Sequence, residues 1–155
     1  MKHWLFKSEP DEFGIDHLIN RPKQTSGWDG VRNYQARNFM RDSMQIGDTA
    51  FFYHSNCKIP GIAGIVEIVK SSYPDPTACD SKSKYYDPKS THIAPRWFMV
   101  DVKFVKKFTQ IIPLTVLRDN AKLQDMLLLR PGNRLSITPV STKEWQAILA
   151  MAANI

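Results

Sequence analysis

The chain has 155 residues, 43% of them hydrophobic and 23% charged, a size and makeup that suit one packed domain over residues 1–155. A net charge of +6 and a pI of about 9.4 favour a polyanionic partner, nucleic acid above all, because basic side chains near phosphates release condensed counterions. No apolar run approaches the ~20 residues that cross a bilayer, which argues against a membrane partner, and the widely spaced Cys57 and Cys79 point to reduced thiols in a cytoplasmic setting.

The first predicted strand is HWLFKSE, residues 3–9. Its period of two sends Trp4, Phe6 and Ser8 to one side and His3, Leu5, Lys7 and Glu9 to the other. Pro10 ends it, and Asp11 is placed to cap a short helix over residues 11–19 that buries Ile15, Leu18 and Ile19. Residues 20–32 read as a polar loop that carries Trp28 between Gly27 and Gly30. Asn33 is a suitable N-cap for the next helix, whose Ala36, Phe39, Met40 and Met44 form a core-facing stripe, with Arg37 and Arg41 one turn apart on another face.

Gly47-Asp48 turns the chain into TAFFYHS, a strong strand, and GIAGIVEIVKSS follows as the next. Gly61, Ala63 and Gly64 in that strand predict curvature or a close backbone approach. Residues 72–95, rich in Pro, Ser, Lys and Asp, read as a long and only partly ordered surface excursion. RWFMVDVKFVKKF is the longest strand candidate, with Phe98, Val100, Val102 and Phe104 on one face. One or two short helices, a last strand in RLSITPVS, and a C-terminal helix opened by the capping box Ser141–Glu144 complete the chain, the helix burying Trp145, Ile148 and Leu149. The order β-α-α-β-β-β-α-β-α predicts an α+β domain on a mixed, curved sheet or small barrel and argues against a regular βαβ sheet.

The chemistry-bearing residues are sparse. His3, His17, His54, His92 and the two cysteines show no ligand spacing, and there is no phosphate-binding glycine loop or dinucleotide fingerprint, so no metal and no cofactor is expected. His54 and Ser55 are neighbours in a strand and point to opposite faces, which prevents a dyad. Lys7 and Glu9 share a strand face, as an acid–base pair or as a partly exposed ion pair.

Recognition is the alternative to catalysis. Trp4 and Trp145 are accounted for by core faces, whereas Trp28 and Trp97 are not. An indole stacked on a nucleobase is worth roughly 1–3 kcal/mol. Arg32 and Asn33 follow Trp28 at a helix start that favours an anion, and Arg37 and Arg41 extend that positive surface towards phosphates. Spacing leaves open whether Trp28 stacks on a ligand or plugs the end of a barrel.

The segments WLFKSEP, WDGVRNYQARNFMRDSMQIGD, FFYHSN, GIAGIVEIV, RWFMVDVKFV and RLSITPVSTKEW occur in order over the whole chain, and together they resemble the EVE domain family of the PUA-like superfamily. The resemblance implies a PUA-like curved mixed sheet or pseudo-barrel with flanking short helices. It also implies a non-enzymatic reader that takes a flipped, modified nucleobase, with 5-substituted cytosine in DNA favoured. On that reading Trp28 is the stacking wall, Ser8 and Glu9 give polar edge contacts, and Arg32 and Asn33 meet the base edge or flanking phosphate. Tyr53, His54 and Ser55 line the floor, Leu135 and Ser136 close the opposite side, and Trp97 is a second aromatic wall or strand core. An RNA-binding module is the sibling reading, and a nucleic-acid hydrolase using Lys7, Glu9 and His54 is the reading from another class.

Overall fold

The structure is a computed structural model and describes residues 1–154. Its strands are β1 (His3–Ser8), β2 (Thr25–Gly27), β3 (Thr49–His54), β4 (Gly61–Pro74), β5 (Phe98–Pro113) and β6 (Ile137–Val140). They form one mixed sheet in the order β2-β5-β4-β3-β1-β6, in which β1 runs parallel to β3 and every other pairing is antiparallel. The helices are short: α1 (Pro10–Phe13), α2 (Ile15–Ile19), α3 (Tyr34–Asn38), α4 (Leu114–Arg118) and α5 (Thr142–Ala153). The α+β architecture, a curved mixed sheet with flanking short helices, is the one expected; the sheet is open, with β2 and β6 at its two edges.

Alternation along the central strands divides the core between two faces. Trp4, Phe6, Ala50, Phe52, Val66 and Ile68 pack with Ile15 and Leu18 of α2 and Ala36 of α3. Leu5, Phe51, Tyr53, Ile62 and Ile65 pack with Leu117 of α4 and Trp145 and Ile148 of α5. Both faces are covered, which is why AFFY reads as a continuous apolar run instead of an alternating one. Each large side chain so buried contributes about 1.5–3 kcal/mol.

Curvature comes from β4 and β5, whose register shifts at four places between Ile62 and Tyr73. Gly64 lets the two backbones approach at one of them: a Cβ there would stand 2.2 Å from the carbonyl oxygen of Lys106.

Several expectations are corrected. Asp11 does not cap a helix; Pro10 takes the first helical position, Glu9 precedes it, and extended Gly14 splits the predicted helix into α1 and α2. The 20–32 loop contains β2, which pairs with β5. Asn33 does cap α3, accepting from the Ala36 N–H at 3.0 Å, but the helix is five residues long and passes into a wider π turn at Phe39–Ser43. Ser141 and Glu144 make the predicted reciprocal capping bonds, yet Leu149 is exposed and Ala147 takes the buried position beside Trp145 and Ile148. The excursion is tied down rather than loosely ordered: β4 extends to Pro74, and Asp75, Ala78 and Ser90 are buried.

Candidate nucleic-acid interface

Because β1 and β3 are parallel, their C-terminal ends emerge together, with Ser8 beside His54 and the Ser55 N–H donating to the Ser8 carbonyl at 2.9 Å. On the other side of β1, the Lys7 N–H donates to the Ser136 carbonyl at 2.8 Å and brings in the segment before β6. The Trp28 N–H donates to the Val100 carbonyl at 2.8 Å and carries the loop after β2 to the same end of the sheet. These three junctions surround a cleft of about 660 Å³, within the roughly 300–1,000 Å³ usual for ligand pockets.

Trp28 lines this cleft and also belongs to the core. Only 6% of its surface is exposed, and its ring meets Phe6, Phe52 and Phe13 nearly at right angles with centroids 5.0, 5.4 and 6.0 Å away. Edge-to-face contacts of this kind fix the plane of the indole. The next glycine has its own reason. Gly30 has φ +79°, donates its N–H to Asp75 Oδ2 at 2.9 Å, and passes so close to Tyr85 that a Cβ would sit 2.6 Å from the ring.

Arg32 braces that contact. Its Nε and Nη2 donate to the Tyr85 carbonyl at 3.0 and 2.8 Å, Nη1 donates to Asp75 Oδ2 at 3.1 Å, and Nη2 also reaches Thr77 Oγ1 at 3.2 Å. The guanidinium is committed to the fold and lines the cleft as a fixed positive charge.

Among the charged lining residues, Lys7, Arg21, Arg32, Lys84 and Arg134 outnumber Glu9, Glu12 and Asp29. Lys84 pairs with Glu12, Arg21 lies 5.2 Å from the Phe13 ring, and Glu9 accepts from the Asn56 amide. Burial holds the Lys7 ammonium below its usual range. Asp29 is pushed up, first by desolvation and then by the charge of Asp75, against a hydrogen bond from its own backbone N–H and the charges of Arg32 and Arg21.

Of the residues expected from sequence, Ser8, Glu9, Trp28, Arg32, Asn33, Ser55 and Ser136 line the cleft. Tyr53, His54, Leu135 and Trp97 do not. Tyr53 is buried on the opposite face of the sheet, and His54 accepts from the Ile15 N–H at 3.1 Å. Leu135 follows the Asn133 turn, its N–H on Asn133 Oδ1. Trp97 is a structural tryptophan: it stacks on Tyr34 at 4.7 Å, donates to Asp87 Oδ2 at 2.7 Å, and has the Arg32 guanidinium 5.3 Å from its ring.

Arg37 and Arg41 lie outside the cleft, Arg37 donating to Asn38 and to the Arg96 carbonyl, and Arg41 pairing with Asp42. The three groups of the hydrolase reading are not brought together, since His54 serves α2 while Lys7 and Glu9 line the cleft without an ion pair between them among the described residues. Phe13, Arg21, Asp29, Lys84, Tyr85 and Arg134 were missed. Asp29 stood beside Trp28 in plain view, whereas nothing local marks Lys84 and Tyr85, which arrive from the 72–95 excursion.

Among the described residues, no group of three His, Cys, Asp or Glu side chains is placed to hold a metal ion, and no helix is long and apolar enough to cross a membrane.

The sequence profile of the EVE domain matches residues 2–151. Human thymocyte nuclear protein 1 is 46% identical in an alignment that covers 96% of this chain and 73% of the relative. A crystal structure from Pseudomonas syringae superposes with a TM-score of 0.92 at 49% identity, covering 97% of this chain and 99% of that one. The crystal structure of human THYN1 in complex with 5-methylcytosine-containing DNA superposes with a TM-score of 0.93 at 45% identity, covering 98% of each chain.

Proposed function

The chain belongs to the EVE domain family, and on that premise we propose that it binds DNA and receives an extruded, 5-substituted cytosine in the cleft beside Trp28. The observation that carries this reading is the pairing of a plane-fixed indole with a basic rim around one cleft of nucleobase-accommodating size. The human relative crystallised with 5-methylcytosine DNA supports the choice of ligand.

Extrusion costs a few kcal/mol, which stacking on Trp28, at roughly 1–3 kcal/mol, and polar contacts from Ser8, Glu9, Asn33, Ser55 and Ser136 offset. Arg32 supplies a fixed charge near the base, while Arg21, Lys84 and Arg134 serve the flanking phosphates, with Arg37 and Arg41 further along the strand. A 5-methyl group adds a small apolar contact of about 0.8 kcal/mol, so preference over plain cytosine is about fourfold. A hydroxymethyl or formyl group that finds a hydrogen bond raises it.

The test is binding at fixed salt to duplexes that differ only in one cytosine, plain or 5-methylated, by the wild type and by Ser136→Trp, which fills the cleft. The reading requires a preference for the methylated duplex that the filled cleft abolishes. Equal affinities unaffected by Ser136→Trp, or tighter binding to RNA of the same sequence, would overturn it.

A further inference from the structure

We infer that Asp29 reads the exocyclic amine at C4 of the base and thereby restricts the cleft to amino-pyrimidines, excluding oxo-pyrimidines such as thymine. The inference rests on the base-reading function proposed above and adds a specificity determinant to it.

Asp29 puts a carboxylate where the electrostatics do not favour one. The cleft rim is basic and its partner is a polyanion, so an exposed acid beside Trp28 weakens attraction to phosphates. Elsewhere on this rim acids are engaged by the fold: Glu12 pairs with Lys84, Glu9 holds Asn56, and the nearby Asp75 takes Arg32, the Gly30 N–H and Thr77. Asp29 has no ion pair among the described residues, and Arg32, close enough in sequence to neutralise it, goes to Asp75 instead.

Position supplies the second part. Asp29 lies between the indole that forms one side of the cleft and Gly30, whose left-handed backbone is pinned to Asp75 and packed under Tyr85. The acid is therefore held at a fixed distance along the chain from the stacking plane. An ionised carboxylate only accepts hydrogen bonds. Cytosine presents an amine donor at C4 and thymine an acceptor oxygen at the same place, so one pyrimidine satisfies Asp29 and the other is repelled by it.

A turn-forming role competes with this reading, because the Asp29 carboxylate accepts from its own backbone N–H. Asparagine makes such turns as aspartate does, and serine more weakly, so they separate the two roles. The experiment places 5-methylcytosine or thymine opposite an abasic site in one duplex, which removes the difference in pairing energy and keeps the 5-methyl group common to both. Wild type, Asp29→Asn and Asp29→Ser are compared for affinity and for Tm.

The wild type is expected to favour 5-methylcytosine over thymine by about tenfold, the effect of one good base-edge contact. Asp29→Asn and Asp29→Ser should bring the two bases to near parity, with Tm unchanged in Asp29→Asn. If the wild type discriminates but either folded variant keeps the same ratio, Asp29 is a turn residue and the inference fails alone. If the wild type does not distinguish 5-methylcytosine from cytosine in the companion duplexes, the base-reading function itself fails.

Discussion

Arg32 and Asp75 meet at 3.1 Å across 43 residues of sequence, the carboxylate wholly buried and the guanidinium largely so. The pair fastens the Trp28 loop to the segment after β4 and fixes the wall of the cleft formed by Gly30 and Tyr85. A buried carboxylate left without its counter-charge costs about 3–5 kcal/mol, so Arg32→Ala is expected to destabilise the protein by that amount in chemical denaturation. Arg32→Lys retains the charge but loses the fork on the Tyr85 carbonyl, and is expected to fall between the two.

Trp28 has a structural share in any binding experiment. Its ring is the meeting point of Phe6, Phe13 and Phe52, and truncation opens a cavity among them. Trp28→Ala is expected to lose about 3–5 kcal/mol of stability, and Trp28→Phe appreciably less. Urea denaturation with unchanged m-value checks this. A fully stable Trp28→Ala protein would mean that the indole contributes to ligand stacking and little to the core.

His54 gives the fold a pH dependence. The Ile15 N–H donates to Nε2, which requires a neutral ring with its proton on Nδ1. Burial holds His54 below its ordinary 6.5, with a smaller opposing effect of Asp16 and a smaller reinforcing one of Lys107. The unfolded chain takes up this proton as pH falls through 6.5 and the folded chain does not until lower pH, so the contribution is complete above 6.5 and is lost progressively below it. His54→Gln keeps an acceptor for the Ile15 N–H and does not titrate. It is expected to flatten the fall in Tm below pH 6.5; an unchanged slope would assign that fall to other groups.

What the sequence revealed follows from how local each signal is. The strands of TAFFYHS and RWFMVDVKFVKKF, the Asn33 cap, the Ser141–Glu144 box and the glycines of β4 are all written within a few residues, and each appears in the fold, although β5 starts at Phe98 and runs on to Pro113. The aromatic environment of Trp28 was not legible, because Phe6, Phe13 and Phe52 reach it from three separate elements. Lys84 and Tyr85 were hidden for the same reason: their place depends on Arg32 crossing to a segment whose composition resembles a loose loop. Tyr53, His54 and Trp97 were drawn towards the cleft by nearness in sequence; the alternation of β3 turns Tyr53 to the other face, the Ile15 N–H occupies His54, and Trp97 stacks on Tyr34.

The central claim is that the base leaves the duplex for the cleft, and a stacking-sensitive fluorophore tests it most directly. With 2-aminopurine placed next to a single 5-methylcytosine, saturation with the protein is expected to raise the fluorescence as its neighbour is extruded, with no rise when Ser136→Trp fills the cleft. Saturable binding with unchanged fluorescence would show that the duplex stays stacked, and would contradict the account.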